Sequence, residues 1–276
     1  MLPTLLDTTL LAARAGGRVL LDWYGRADLE VRAKAENDFV TRADRDSEAA
    51  VVGEIRRRFP DHAILAEEGG ASAGREDFEW VIDPLDGTTN FTQGLPFFCV
   101  SVACRRGDSV LTAAVLDPLR DELFSASLGG GAFKNGERLR VSGRRELKGA
   151  FLATGYPYRA HEALDAYLAA FREVFLAARA IRRCGAAALD LAYTAAGAFD
   201  GFFEFRLSPW DIAAGALLIE EAGGSVSDLD GGRRYLASGN VVAAAPGVFE
   251  QLRAALAHHA SEALLDRLVP RGEAAR

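Results

Sequence analysis

The sequence predicts a layered α/β fold in which helices pack on β-sheets, and two observations support this. In the first half, amphipathic helical patterns accompany short runs of β-forming residues that end in Gly, Pro or Asn turns. After a polar stretch at 142–149, strand and helix patterns alternate regularly, which is typical of an α/β unit. We therefore expect one domain over residues 1–262, with an α+β half at about 1–145 and an α/β half at about 146–262, followed by a tail at 263–276.

The first half contains two helical patterns and several short strand patterns. Leu5, Ala13 and Leu20 belong to an apolar series at helical spacing that ends near Tyr24-Gly25. Asn135-Gly136 predicts a hairpin turn, because both residues accept positive φ. The other elements predicted here are a helix at about 45–59 and strands at 63–66, 80–82, 96–104, 109–116 and 122–126.

The second half predicts four strands that alternate with four helices. The strands are expected at 150–154, 180–183, 199–205 and 239–244, and the helices at 161–178, 186–196, 211–222 and 248–259. Residues from 261 onward are expected to form one more short helix or a frayed tail.

Size and charge exclude several classes of function. With 276 residues, of which 49% are hydrophobic, the chain can bury a large core. Its formal net charge of −7 argues against direct binding to nucleic acid or to an anionic membrane surface. No lysine follows a glycine, which excludes a nucleotide-binding P-loop, and no uncharged stretch is long enough to span a membrane. We expect a cytoplasmic protein with neither a nucleic-acid nor a membrane partner.

The cysteines and histidines give no sign of a disulfide or a Cys/His zinc centre. Cys99 and Cys104 are five positions apart on a predicted strand, which places them on opposite faces. Together with Cys184 they are expected to be reduced thiols in the core. The four histidines show no zinc-site spacing with cysteine.

The most specific chemistry lies in the segment from Glu79 to Phe91, EWVIDPLDGTTNF. Its apolar start predicts a buried strand with Asp83 at the carboxyl end, and Pro84 favours a loop that brings Asp86 back toward Asp83. Two carboxylates about 4 Å apart repel by about 4 kcal/mol at an effective dielectric near 20. We therefore expect a bound cation, and oxygen ligands, including the Leu85 carbonyl, favour Mg²⁺ or Mn²⁺ over zinc.

The residues that follow these acids are suited to an anion. Gly87 permits close backbone approach, while Thr88 and Thr89 are expected to form an N-cap and the first turn of a helix. Free N–H groups at a helix start attract phosphate, so this segment predicts a phosphoryl-transfer site. The alternative is an ordinary surface turn, since Asp, Pro and Gly are all common in turns.

The chain resembles the inositol monophosphatase family of Mg²⁺-dependent, lithium-sensitive phosphatases in two separate segments. One is the Glu79–Phe91 string, and the other is Trp210-Asp211 followed by Ile-Ala-Ala-Gly, the W-D-x-A-A-G signature. The resemblance extends over about residues 4–260. It implies an αβαβα sandwich, commonly assembled as a homodimer.

The resemblance also implies the ligands of two Mg²⁺ ions per active site, and the family admits a third. The first ion would use Glu67, Asp83 and the Leu85 carbonyl, and the second would use Asp83, Asp86 and Asp211. The family pattern before the glutamate is G-E-E, whereas here Ala66 precedes the pair, so Glu68 is the alternative to Glu67.

Further site residues follow from the same resemblance. Asn37-Asp38-Phe39-Val40-Thr41-Arg42-Ala43-Asp44 matches a D-x-V-T-x-x-D segment that places Asp44 beside the metals, although Asp44 could simply cap a helix. A water held near Thr88 with Glu67 would attack the phosphate directly, without a phosphoenzyme, while backbone N–H groups of Gly87 and Thr88 hold the phosphate. The remaining residues expected to contact substrate are Asp86, Gly185, Ala186, Ala187, Glu204 and Asp211.

Two of these assignments have simpler alternatives. Glu204 could be an exposed charge at a strand end, and Asp211 could be only a helix N-cap. Thr89 after D-G-T favours inositol 1-phosphate as substrate, because the histidinol-phosphate and adenosine 3′,5′-bisphosphate phosphatases tend to carry a charged residue there. Fructose 1,6-bisphosphate is a further alternative. An RNA-polymerase or ribosomal-RNA accessory role is the alternative from another class of function.

Overall fold

The computed structural model describes residues 1–26, 28–35, 38–156 and 164–259. Within them it contains helices α1 (Leu2–Trp23), α2 (Arg42–Arg58), α3 (Thr88–Thr92), α4 (Leu164–Ala177), α5 (Ala187–Ala195), α6 (Pro209–Glu221), α7 (Tyr235–Ser238) and α8 (Pro246–Ala257). The tail predicted at 263–276 lies outside the described residues.

The described strands form a hairpin and two sheets. The hairpin pairs β1 (Arg32–Ala35) with β2 (Asp38–Val40). The larger sheet has the order β10-β9-β8-β7-β6-β5-β3-β4 and the smaller has the order β12-β11-β13-β15-β14. Their bounds are β3 (Ala63–Ala66), β4 (Gly70–Ser72), β5 (Phe78–Asp86), β6 (Cys99–Arg106), β7 (Ser109–Asp117), β8 (Glu122–Ser127), β9 (Gly131–Lys134), β10 (Glu137–Arg138), β11 (Phe151–Thr154), β12 (Ala180–Arg182), β13 (Gly201–Glu204), β14 (Ser225–Ser227) and β15 (Val241–Ala244).

The elements stack in the order helix, sheet, helix, sheet, helix. Helices α1 and α2 cover one face of the larger sheet, α5 and α6 lie between the two sheets, and α4 and α8 cover the far face of the smaller sheet. Three apolar clusters fill the spaces between these layers. The predicted αβαβα architecture is therefore confirmed.

Strand β6 shows why the larger sheet is apolar on both faces. Residues 99–104 are all buried, because helices cover both sides of the sheet. Cys99 packs in the cluster around α5 and α6, and Cys104 packs in the cluster under α1 and α2. The prediction that these two thiols point to opposite faces is confirmed, and Cys99, Cys104 and Cys184 are all free cysteines.

Several predicted boundaries differ from the observed ones. Strand β5 does not end at Asp83 but continues to Asp86, with its pairing to β6 irregular between these two residues. Pro84 is accommodated at this irregularity, where no regular ladder bond is required of it. The strand predicted at 96–104 corresponds to β6, which begins at Cys99 rather than at Pro96. The predicted Asn135-Gly136 turn is confirmed, with φ of 50° and 85°.

His62 is buried in an aromatic stack beneath the larger sheet. Its ring lies 4.5 Å from that of Phe59 and 4.8 Å from that of Phe78. Trp80 Nε1 donates a hydrogen bond of 3.0 Å to His62 Nδ1, so the ring proton resides on Nε2, which faces Glu76 at 3.3 Å. Burial lowers the pKa of His62 below its ordinary value of 6.5, with Glu76 opposing that shift.

We expect His62 to make the protein less stable as the pH falls below about 6.5. The folded state favours the neutral ring, so its contribution to stability is complete above the unfolded-state pKa of 6.5 and is lost as the pH falls toward the lower folded-state pKa. The measurement is urea unfolding of the wild type and of His62→Asn, whose amide oxygen can still accept from Trp80, between pH 5 and pH 8. The difference between the two proteins should grow toward pH 8, and a pH-independent difference would contradict the assignment.

Among the described residues, no helix combines the length and the apolar character needed to cross a membrane.

Candidate active site

A cavity of about 440 Å³ opens where the larger sheet meets α5, α6 and the end of β13. Nearly all of the site residues predicted from the sequence line it. They are Glu67, Asp83, Leu85, Asp86, Gly87, Thr88, Gly185, Ala186, Ala187, Glu204 and Asp211.

Glu67 and Asp83 are neighbours because of how β3 and β5 pair. The strands run parallel with Ala66 opposite Ile82, and Glu67 N donates to the Ile82 carbonyl at 3.2 Å, so the next residue along each strand faces the cavity. Glu68 does not line the cavity, and its backbone N–H donates to Glu48 Oε2 at 2.9 Å. Of the two glutamates, Glu67 is therefore the one placed to bind a ligand.

Asp83 is held at the irregularity in β5. Its Oδ1 accepts from Leu85 N at 3.0 Å, which turns the carboxylate back over the following residues. Only 2% of the residue is exposed. Burial raises its pKa well above the ordinary value, and the negative charges of Glu67, Asp86 and Asp211 raise it further. Without a cation, ionised Asp83 is strongly disfavoured here.

Asp86 is positioned by the start of α5. Its Oδ2 accepts from Ala188 N at 2.7 Å, and the Cys99 thiol lies 3.7 Å from the same oxygen. Burial raises the pKa of Asp86 to about 6 despite the backbone hydrogen bonds that favour its charge. The positive end of α5 thus receives a carboxylate of the protein itself.

Asp44 lies behind the cavity rather than on it. It is the third residue of α2, and Thr41 is the N-cap, so the expectation that Asp44 itself caps the helix is wrong. Asp44 Oδ2 accepts from Thr41 N at 2.9 Å and from Thr41 Oγ1 at 2.6 Å. Thr88 Oγ1 donates to Asp44 Oδ1 at 3.1 Å, and this hydrogen bond connects Asp44 to the cavity. Burial raises the pKa of Asp44.

Thr88 begins α3, while Gly87 occupies the cap position with φ of 93°. The expected Thr88 N-cap is therefore one residue too late. Gly87 is required because a Cβ there would lie 3.0 Å from the Phe97 carbonyl oxygen in addition to the cost of positive φ. Thr88 Oγ1 also lies 3.0 Å from the Leu85 carbonyl, so its single proton can go to only one of two acceptors.

Asp211 and Glu204 come from the second half of the chain. Asp211 is the third residue of α6, and its Oδ2 accepts from Ser208 N at 2.7 Å, so Ser208 rather than Asp211 is the cap. Glu204 ends β13 at the cavity wall, and burial, with a smaller contribution from Asp211, raises its pKa well above the ordinary value. The alternative that Glu204 is simply an exposed charge does not fit this position.

The donor set fits a hard divalent cation. Glu67, Asp83, Asp86 and Asp211 line one cavity, and among the residues that the structure describes no histidine lines it. Burial, together with the neighbouring carboxylates, raises the pKa of Asp83 and Asp86, so a cation would favour their ionised forms. Carboxylate and carbonyl oxygens are the ligands that Mg²⁺ prefers.

Comparison with known proteins decides the family. The sequence profile of the inositol monophosphatase family matches residues 2–262. The chain belongs to the inositol monophosphatase family. This membership supports a phosphatase, in agreement with the resemblance found in the two signature segments.

Individual members of the family are similar over nearly the whole chain. The Nus factor SuhB of Pseudomonas aeruginosa is 48% identical over 261 residues, which cover 92% of this chain and 96% of that protein. The solved extragenic suppressor protein SuhB of Bartonella henselae is 40% identical, with a TM-score of 0.89 over 92% of this chain and 98% of the other. The inositol monophosphatase of Anabaena (Nostoc) sp. PCC 7120 is 39% identical, with a TM-score of 0.84 over 93% and 96% of the two chains.

In this member of the inositol monophosphatase family, the cavity is also lined by residues that the sequence did not single out. Arg183 lines the cavity, and its guanidinium carbon lies 5.6 Å from the centre of the Tyr156 ring, which also lines it. A Cβ on Gly155 would lie 1.8 Å from Glu204 Oε1, so only glycine leaves room for that carboxylate. No local sequence pattern marks these residues.

Proposed function

We propose that this chain is a Mg²⁺-dependent phosphate monoester hydrolase that prefers myo-inositol 1-phosphate or a similar polyol monophosphate. The observation that carries the proposal is the meeting of Glu67, Asp83, Asp86 and Asp211 on one cavity. Four carboxylates would repel a phosphate, so the cavity suits a phosphate ester only together with cations. The proposal includes two Mg²⁺ ions, with room in the family for a third, a homodimer and lithium inhibition, as family membership implies. It also includes the cytoplasmic location expected from the sequence.

The residues proposed to hold Mg²⁺ are those implied by the family. They are Glu67, Asp83 and the Leu85 carbonyl for one ion, and Asp83, Asp86 and Asp211 for the other. When bound, Mg²⁺ supplies positive charge that offsets the carboxylates, lowers the pKa of water and stabilises the oxygen that leaves.

Thr88 and Asp44 are proposed to handle the proton of the attacking water. Thr88 Oγ1 can donate its proton to Asp44 Oδ1 at 3.1 Å and then accept a hydrogen bond from a water in the cavity. Asp44 is fixed by two bonds from Thr41, and burial raises its pKa toward that of a useful base. Backbone N–H groups of Gly87 and Thr88, at the start of α3, are proposed to orient the phosphate.

The alcohol portion is proposed to lie against Glu204 and the segment Gly185-Ala186-Ala187. Glu204 offers acceptor oxygens for hydroxyl groups at the cavity wall, and the small side chains of Ala186 and Ala187 leave room for a ring. Asn90 Nδ2 donates to the Cys184 carbonyl at 2.9 Å and to the Phe97 carbonyl at 2.7 Å, which fixes this segment next to the start of α3.

We expect Mg²⁺-dependent phosphate release, with the highest kcat/KM for inositol 1-phosphate. The measurement compares inositol 1-phosphate, histidinol phosphate, adenosine 3′,5′-bisphosphate and fructose 1,6-bisphosphate, each with Mg²⁺ and with EDTA. EDTA should reduce release to background, because the carboxylates alone repel the substrate. A higher kcat/KM for another ester would assign the chain to that branch of the family, and release that persists in EDTA would contradict the metal sites.

A second candidate function is a non-catalytic accessory role in transcription or ribosomal-RNA synthesis. The name Nus factor, carried by the relative from Pseudomonas aeruginosa, favours it. The net charge of −7 favours a protein partner over direct contact with RNA. Absence of phosphate release from every ester tested would shift the balance toward this role.

A further inference from the structure

Three potential metal ligands, one on α4 and two directly after α8, meet on the outer layer of the fold. Glu173 lies on α4, and His258 and His259 directly follow α8. One ligand atom from each residue lies within 4.8 Å of the other two. His259 Nε2 and Glu173 Oε2 are 2.8 Å apart, and the two imidazole rings are nearly perpendicular with centroids 4.8 Å apart.

The backbone positions of these ligands are fixed by buried contacts between α4, α8 and the smaller sheet. Ala170 and Val174 of α4 and Leu252 and Leu256 of α8 belong to one apolar cluster. Glu173 and His258 are exposed above that cluster, and His259 is partly buried. The helices therefore hold the ligands close together, while the side chains keep the freedom to adjust.

The distances between the ligand atoms are compatible with a four-coordinate site. Ligand atoms about 2.0–2.2 Å from a tetrahedral metal are about 3.3 Å from one another. One observed separation is 2.8 Å, and none of the three exceeds 4.8 Å, so each can reach this value by a small movement. Rotation of partly exposed side chains can supply an adjustment of about 1 Å. The carbonyl groups at the end of α8 add the negative end of a helix dipole, which favours a cation.

The ligands of this cluster favour a different class of metal than the ligands of the acidic cavity do. Two imidazole nitrogens and one carboxylate suit Zn²⁺ and Ni²⁺, whereas Mg²⁺ prefers oxygen ligands only. The spacing of histidine and cysteine in the sequence gave no zinc site, because Glu173 and the two histidines are far apart in the chain and meet only in the fold. Arg172 lines the same surface hollow as Glu173, His258 and His259. Its positive charge opposes cation binding but does not remove a ligand.

We propose that Glu173, His258 and His259 form a surface site for Zn²⁺ or a similar borderline divalent cation, separate from the acidic cavity. A cation there links α4 to the chain that follows α8, and it keeps at least one coordination position open to water or another ligand. The site does not depend on the proposed phosphatase activity.

The test is Zn²⁺ titration of the full chain by calorimetry, with Mg²⁺ in excess to occupy the acidic cavity. His258→Ala, His259→Ala and Glu173→Gln should each weaken Zn²⁺ binding by at least about tenfold, because each removes or weakens one ligand. Glu173→Gln retains a hydrogen-bond acceptor for His259, so it separates loss of the metal ligand from loss of the contact between the helices.

Two control variants distinguish this site from others. Glu250→Gln makes the same chemical change at a residue of α8 that pairs with Arg253, and it should leave Zn²⁺ binding unchanged. Asp86→Asn alters the acidic cavity, and it should also leave the binding of Zn²⁺ at the surface cluster unchanged. Co²⁺ should give visible absorption bands in the wild type that the three ligand variants lose. Zn²⁺ affinities within twofold of the wild type in all three ligand variants, or loss of binding in Asp86→Asn alone, would overturn the proposal.

Discussion

Replacement of Asp86 by asparagine is expected to lower Mg²⁺-dependent phosphate release by more than about 100-fold. Loss of a group that only supports a metal ligand costs about 10–100-fold, so loss of a ligand charge should cost more. The fold should be retained, because an asparagine oxygen can still accept from Ala188 N. Since burial raises the pKa of Asp86 to about 6, removal of this charge should not destabilise the metal-free protein.

Two measurements separate a lost ligand from a damaged fold. Mg²⁺ should raise the melting temperature of the wild type, because a ligand that binds the folded state stabilises it, and Asp86→Asn should lose most of that increase. Asp77→Asn is the matched control, since Asp77 carries the same group with 82% of its side chain exposed. Undiminished turnover in Asp86→Asn would show that the metal assignment is wrong, whereas an accessory role independent of catalysis would survive the substitution.

Replacement of Gly215 by alanine is expected to destabilise the protein by about 1–3 kcal/mol, although alanine is the better helix former. A Cβ at this position in α6 would lie 2.4 Å from Cβ of Leu191 in α5. The Cβ of Leu191 can move only with the backbone of α5, and the residue is fully buried in the close-packed core. Thermal unfolding should show a lower melting temperature. The expected decrease is about 2–4 °C per kcal/mol, the value for chains of about 150–250 residues.

Gly53→Ala is the matched control, with the opposite sign. Gly53 lies inside α2, and a Cβ there would have no heavy atom within 4 Å. Gly53→Ala should therefore stabilise the protein by up to about 1 kcal/mol.

Gly215→Ala should also reduce turnover, because α5 holds Asp86 through Ala188 N and the first turn of α6 carries Asp211. Equal melting temperatures for the two variants would refute the tight packing of α5 on α6.

The sequence predicted the elements of the fold better than the ends of those elements. Hydrophobic periodicity identified the long helices, because each covers a sheet with one face. It did not locate the start of α2 or α6, because in each case the acid is the third residue of a capping box. An Asp at the cap and an Asp at the third position are equally good local signals for a helix start, and only the backbone geometry separates them.

The part of the site within one segment could be predicted from residue chemistry alone. Asp83, Asp86 and Thr88 lie so close in the chain that a turn brings them together. Asp211 and Glu204 required the family resemblance, since nothing in their local sequence points to a cavity more than a hundred residues away in the chain. Cys99, Tyr156 and Arg183 carried no signal of either kind, because their roles depend on how α5 and the two sheets pack.

The two ends of the acidic cluster have a consequence for how the protein folds. Glu67 directly follows β3 of the larger sheet, and Asp211, the third residue of α6 between the sheets, comes 144 positions later (211 − 67). Contacts of such long sequence separation form slowly, because a large loop must close before they contribute. We expect the cation site to be completed late in folding. On the ribosome, it can form only after α6 has been synthesised and released, so tight metal binding marks a chain in which α6 has already packed between the sheets.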